Sequence, residues 1–354
     1  MKKKKIIEGR AAVLRLVTVL VMCSAMFLGC GNSNITSMRN EDKISVVCTI
    51  FPEYDWVREV VGELGEQYEI TLLMDDGGDL HNYQPTALDI ARIAQCDVFV
   101  YVGGESDGWV EDALKEATNP NMQVMNLLET LGTKVKEEEL VEGMQVHDHD
   151  HEEEGVQEDG HDHDHEEGEV HEESEVEYDE HVWLSLKNTK SMVKAIEQAL
   201  EAVDDANAAI YQKNADAYIQ KLDDLDKEYE AVVTSAAKKT IVFGDRFPFR
   251  YLADDYGLSY YAAFPGCSAE TEASFETITF LAEKMDELEL SKILVIENSD
   301  KKIAKTIIDN TATKNQEILV MNSLQSVTSK KIEEGVSYVS IMQENLEILK
   351  QAME

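Results

Sequence analysis

Two histidines in this chain of 354 residues stand apart from the rest. His81 lies in Gly77-Gly78-Asp79-Leu80-His81-Asn82-Tyr83-Gln84-Pro85, and His181 lies in Tyr178-Asp179-Glu180-His181-Val182-Trp183-Leu184. Downstream, oxygen donors follow β-rich runs: Asp245, then Glu270 and Glu272 beside Cys267, then Glu297 with Asp300 just beyond. Read singly, each has an ordinary role, the histidine as a solvated loop side chain and the carboxylate as a helix N-cap. Read together they describe a metal site, with imidazoles from one half of the chain and oxygen ligands from the other. Neutral imidazole with carboxylate suits zinc and also admits manganese.

The other seven of the nine histidines, His147, His149, His151, His161, His163, His165 and His171, fall in one acidic stretch. Between Lys134 and Glu180 there are 22 Asp and Glu against Lys134 and Lys136, about half of the chain's formal charge of −39. Such a stretch buries no core and is read as disordered without a ligand. Its alternating His-Asp runs offer accessory metal capture through imidazole and carboxylate; the plainer reading is a solvated acidic loop. With 71 acidic and 32 basic side chains the sequence argues against a nucleic-acid partner, since phosphate binding needs a basic face. The same charge favours a monomer.

These residues must be positioned by something. From residue 43, short Val- and Ile-rich runs alternate with amphipathic ones. Strands are predicted at 43–50, 68–74, 97–102 and 122–127, and again at 240–244, 259–264, 291–297 and 317–322. Helices are predicted at 54–65, 86–95, 107–117, 247–256, 274–288, 301–314 and 326–352, with Thr86 and Asp89 shaped as a capped start for the second. Alternation of this kind gives an α/β protein with two lobes, each a four-stranded, mainly parallel sheet flanked by helices. Between them, residues 188–203 and 206–236 read as helical, the latter without Gly or Pro and long enough to be one rigid rod joining the lobes. Ligands in such sheets bind beyond the carboxyl ends of the strands, here in the cleft between lobes.

The N-terminus reads as an address. Lys2 to Lys5 precede an apolar run of 13 residues, Leu16 to Leu28, too short for an ordinary membrane span and suited to a signal-peptide core. It ends in Phe27-Leu28-Gly29-Cys30, which resembles a bacterial lipobox with Cys30 as the lipidated first mature residue. The predicted organisation is a signal over 1–29, a tether over 30–42, and an N-terminal α/β lobe over 43–185 with the acidic insertion at 134–180. A helical region over 186–237 and a C-terminal lobe over 238–354 complete it. Cys48, Cys96 and Cys267 remain, too few for a disulfide framework.

Four segments carry a family resemblance: Cys48-Thr49-Ile50-Phe51-Pro52-Glu53-Tyr54-Asp55-Trp56, His81-Asn82-Tyr83-Gln84-Pro85-Thr86, Glu180-His181-Val182-Trp183-Leu184 and Ile296-Glu297-Asn298-Ser299. In this order and spacing, and with Tyr251 to Leu258 after a long helix, the chain resembles the zinc and manganese substrate-binding lipoproteins of bacterial ABC transporters. The resemblance implies an extracytoplasmic receptor, anchored to the cell membrane through Cys30, that captures Zn²⁺ and delivers it to a membrane permease without chemistry. His81 and His181 match the family's first two ligands, and Glu297 matches the carboxylate that completes zinc sites. Asp300 lies near the aspartate of manganese members. The His-rich insertion is typical of zinc members. One departure stands out: where the family's third ligand belongs, about five residues before Tyr251, this chain has Arg246, and a guanidinium cannot ligate a cation. Asp245 or water is the first substitute, an insertion histidine the second and Cys267 the third. The alternatives in function are a manganese receptor of the same class, and a zinc-storing or adhesin lipoprotein. A zinc hydrolase would need an open position and a general base, and no His-Glu-x-x-His pattern is present.

Overall fold

The computed structural model describes residues 42–145, 177–268 and 271–354. It holds two parallel four-stranded sheets. In the first, β1 (Ile44–Cys48), β2 (Tyr68–Leu72), β3 (Val98–Tyr101) and β4 (Gln123–Asn126) lie in the order β2-β1-β3-β4. In the second, β5 (Thr240–Phe247), β6 (Ser259–Pro265), β7 (Lys292–Ile296) and β8 (Glu317–Met321) lie in the order β6-β5-β7-β8. Central strands such as Val98-Phe99-Val100 and Ile293-Leu294-Val295 are apolar at consecutive positions, because helices cover both faces. Every ladder runs parallel, with Val46 opposite Ile70 and Val98 in the first sheet and Leu294 opposite Leu319 in the second.

Helices connect the strands: α1 (Phe51–Val61), α2 (Ala87–Ile93), α3 (Val110–Lys115) and α4 (Leu127–Leu131) in the first half. α5 (Leu186–Val203) and α6 (Ala208–Ser235) follow, then α7 (Arg250–Tyr256), α8 (Phe275–Glu287), α9 (Lys302–Asn310), α10 (Ser329–Glu333) and α11 (Tyr338–Ala352). The Thr86 cap forms as the sequence suggests: Asp89 N–H donates to the Thr86 hydroxyl, and Thr86 N–H donates to the Asp89 carboxylate at 2.9 Å. α6 is the single rod expected of 206–236, 28 residues long and so about 42 Å. It carries Tyr211, Ala215, Tyr218, Leu222, Leu225, Tyr229 and Val233 on its buried face, at helical spacing.

Two expectations need correction. The stretch 326–352 is not one helix but α10 and α11, separated at Gly335, whose φ of 91° no helix accommodates. β5 runs on to Phe247 rather than stopping at 244, with a register shift against β6 between Phe243 and Arg246. That irregularity re-aims the side chains of Asp245 and Arg246 at the strand's carboxyl end.

The two sheets are welded by a common core. α11 carries Tyr338, whose N–H donates to Asp55 on α1 at 2.8 Å and whose hydroxyl donates to the Trp183 carbonyl at 2.7 Å. The Trp183 indole N–H in turn donates to the Ser323 carbonyl beyond β8. A single apolar cluster runs from Val46 in β1 to Met353 after α11. The start of the predicted acidic insertion needs correction too: residues 134–145 are ordered, with Met144 in the core, because their apolar side chains find a surface to pack on, and they form a strap that adds a second weld. Lys136 N–H donates to the Tyr251 hydroxyl, Tyr260 donates to Glu139, and Gln145 N–H donates to the Ala263 carbonyl. Among the described residues no helix is long and apolar enough to cross a membrane.

Candidate metal centre

His81 sits in a short turn after β2, where Asp79 accepts from its backbone N–H at 3.1 Å. His181, fully buried, precedes the turn Val182–Leu184 that leads into α5. Their Nε2 atoms stand 3.2 Å apart. His181 Nδ1 lies 2.9 Å from Asp179 Oδ1, so its proton belongs on Nδ1, donated to the carboxylate, and its Nε2 lone pair faces His81. His81 Nδ1 faces the Ser106 hydroxyl at 2.8 Å and Glu180 Oε2 at 3.5 Å, a pairing that likewise draws the proton to Nδ1 once Nε2 is wanted for a ligand. Burial, and next the neighbouring His181, push the His81 pKa down to about 3, so the His81 ring meets a cation unprotonated across the physiological range.

Glu180 is held by Ser106, whose N–H donates to it at 2.9 Å, and it enters this space because the turn after β3 is Gly103-Gly104. Gly104 has φ of 83°, and a Cβ there would overlap the Glu180 carboxyl. Behind Glu180, at the carboxyl ends of β1 and β3, lie Asp107 and Glu53. Glu53 accepts from Thr49 and Ile50 N–H with one oxygen, Asp107 accepts from Gly103 N–H, and the second oxygen of each is buried without a hydrogen-bond partner. Burial first and the neighbouring Asp107 next raise Glu53 to about 8; burial raises Asp107 to about 7. The first sheet thus closes its switch point with acids that hold protons near neutral pH.

The second sheet contributes differently. Cys267, in the Pro265-Gly266-Cys267 turn after β6, brings its sulfur into the histidine pair: the donor atoms of His81, His181 and Cys267 all lie within 4.8 Å of one another. Asp245, first of the expected substitutes, is not in that group. Its carboxylate accepts from Arg246 N–H at 2.9 Å and from the Ser299 hydroxyl, and it lines a separate polar cleft with Asn82, Ser268 and Asn298. The physical reason is the β5 irregularity, which turns it along the strand end. Arg246 forms an ion pair with Asp79 across the lobes, near Glu297 and Cys267. Glu297 also lies outside the group, and its two oxygens accept from Ser323 N–H and hydroxyl at 2.8 and 2.9 Å. Asp300 is exposed and pairs with Lys302. The seven insertion histidines and Cys30 lie outside the described residues.

A family profile described as zinc-uptake complex component A, periplasmic, matches residues 46–352. The chain belongs to this family. Similar members include the zinc-binding lipoprotein AdcA of Streptococcus pneumoniae strain R6, 32% identical over 331 residues, which cover 93% of this chain and 59% of that protein. The high-affinity zinc uptake system protein ZnuA of Bacillus subtilis is 30% identical over 337 residues, covering 95% of this chain and 96% of that protein. The chain therefore spans under two thirds of the length of its streptococcal relatives and nearly all of the Bacillus one. Among solved structures, the Zn(II)-bound ZnuA-like domain of Streptococcus pneumoniae AdcA superposes with a TM-score of 0.63 at 27% identity, over 88% of this chain and 99% of that one. The metal-dependent lipoprotein YcdH of Bacillus subtilis gives 0.65 at 27% identity, with the same two coverages. The family named from the four sequence segments is the family matched. Ser106 and Asp79 were not legible as parts of its site in this chain; the only signal was Gly103-Gly104 ahead of Ser106, marking a close backbone approach.

Proposed function

We propose that this chain is the extracytoplasmic receptor of an ABC importer for zinc, lipid-anchored to the membrane through Cys30 and acting as a monomer. It captures the ion and presents it to the permease, and it carries out no reaction on it. One observation carries the reading: two buried imidazoles, each backed by its own oxygen partner, meet Nε2 to Nε2 at 3.2 Å between the lobes. Two nitrogens bound to one tetrahedral zinc at 2.0–2.1 Å would stand about 3.3 Å apart, so the pair is spaced for that ion as it stands. Its relatives' names as zinc-binding and zinc-uptake proteins agree. The oxygens that kept manganese in view, Asp245 and Asp300, are directed elsewhere. The seven insertion histidines are assigned to accessory capture.

The shared core and the long α6 argue for small closure, so release is assigned to docking on the permease. A competitive titration of residues 31–354 with zinc and manganese tests the assignment. We expect one tight zinc site, weaker manganese, and loss of the tight site in His81→Ala and His181→Ala. Tight zinc binding that survives both substitutions would place the site in the insertion and make the chain a store instead.

A further inference from the structure

We propose that the third protein ligand is the thiolate of Cys267, making this a His-His-Cys centre that selects thiophilic divalent cations and turns manganese away. The inference rests on the receptor reading above and deepens it. Three loops supply the donors: the turn after β2, the segment before α5, and the turn after β6. All three donor atoms lie within 4.8 Å of one another, and no other described His, Cys, Asp or Glu joins them. In a tetrahedral zinc site with Zn–S of about 2.3 Å and Zn–N of about 2.05 Å, sulfur and nitrogen stand about 3.6 Å apart. At most about 1.2 Å remains to be closed, within reach of a rotation of the cysteine side chain.

The turn is shaped for this. A Cβ at Gly266 would stand 3.1 Å from the His181 ring, tighter than ordinary contact, so glycine lets the backbone bring Cys267 against that imidazole. The Cys267 N–H donates at 3.0 Å to Glu138 of the strap, which ties the turn to the ordered start of the insertion. Arg246, at the position of the family's usual third ligand, is anchored by Asp79. Burial first, and next the nearby Asp179, Glu138 and Glu180, push the Cys267 thiol up, so it is the arriving cation that must draw the proton off the sulfur. The remaining oxygen candidates are committed: Asp245 to Arg246 N–H and Ser299, Glu297 to Ser323. On loading, the Cys267 S–H bond breaks, its proton leaves to the buffer, and the sulfur lone pair forms the bond to the ion. Soft thiolate suits zinc, cadmium and cobalt better than manganese, which prefers carboxylate and water.

Cobalt(II) is the probe. Thiolate bound to cobalt gives an intense ultraviolet charge-transfer absorption that imidazole and carboxylate do not give, so ions on the insertion histidines stay silent. Cys48 and Cys96 are fully buried and do not join the donor group, and residues 31–354, which contain the compact unit from Glu41, lack Cys30. We expect the absorption to grow to one equivalent and to vanish on adding zinc. In Cys267→Ser it should be absent, with zinc affinity down about 10²-fold and the preference for zinc over manganese narrowed. A parent protein that binds zinc through His81 and His181 but shows no such absorption, with Cys267→Ser binding equally well, overturns the cysteine assignment and leaves the receptor reading intact. A parent that binds neither metal tightly overturns both. A second measurement needs no variant: zinc should protect Cys267 from iodoacetamide, and alkylation at an unchanged rate with zinc bound overturns the proposal.

Discussion

The sheet β2-β1-β3-β4 and the sheet β6-β5-β7-β8 share one crossing pattern, yet their carboxyl ends are furnished in opposite ways. At the first, two imidazoles are locked by Asp179 and Ser106 and backed by the buried carboxyls of Glu180, Asp107 and Glu53. At the second, Arg246 and Glu297 face charges and hydroxyls of their own, and one sulfur reaches the imidazoles. The difference teaches that a shared topology fixes where a site forms but not which end supplies its donors. The nitrogen half is preorganised by burial, and the other half brings a single sulfur to it.

The comparison breaks most visibly if the first-lobe support is removed. Asp179→Asn keeps the shape but replaces an acceptor-only carboxylate with an amide that no longer fixes the Nδ1–H tautomer of His181. Partners of this kind are worth 10–100-fold in metal affinity, so zinc binding should weaken by about that factor, read by competition with a chromophoric chelator. An unchanged affinity would mean that burial alone orients the ring.

Much of this contrast was legible in the sequence, and what escaped did so for one reason. The eight strands, the long α6 and the Thr86 cap follow from local patterning, which depends only on neighbours along the chain. His81 and His181 were likewise legible by motif. The partner of Arg246 was not, because Asp79 lies 167 residues away and the two meet only once both sheets are folded. Asp245 was favoured over Cys267 because it is nearer in sequence to the departing position. The structure puts Cys267 rather than Asp245 beside the histidine pair, a nearness made by a turn after β6 that leaves no periodic signal.

A second prediction sharpens the contrast through stability. Glu53 carries its proton in the folded chain up to about pH 8, while an unfolded glutamate releases it near 4.5. Between those values the folded state binds the extra proton, so stability falls as pH rises through the window. His81 acts in the opposite sense, but only below its ordinary 6.5, where the unfolded chain takes up a proton that the folded chain refuses down to about 3. From pH 6.5 to 8 the acid term therefore stands clear of it. Glu53→Gln offers a carbonyl to Thr49 and Ile50 and an amide toward Asp107, with no charge to bury. Urea melts of the metal-free protein should show the parent losing about 1–2 kcal/mol more than this variant across that interval. Parallel curves would mean that Glu53 is ionised and solvated.

The smallest effect is expected on the other side of the cleft. Glu297→Gln leaves a carbonyl to accept from Ser323 N–H and an amide to donate to its hydroxyl, so both contacts of the parent are replaced in kind. If Glu297 acts only there, zinc affinity should change by less than about threefold, under roughly 0.7 kcal/mol. The substitution also removes a negative charge from beside Arg246. The net shift is small because neither change touches a donor atom of His81, His181 or Cys267. A loss above about thirtyfold would show instead that the carboxylate leaves Ser323 for the ion, and the second lobe would then supply as many donors as the first.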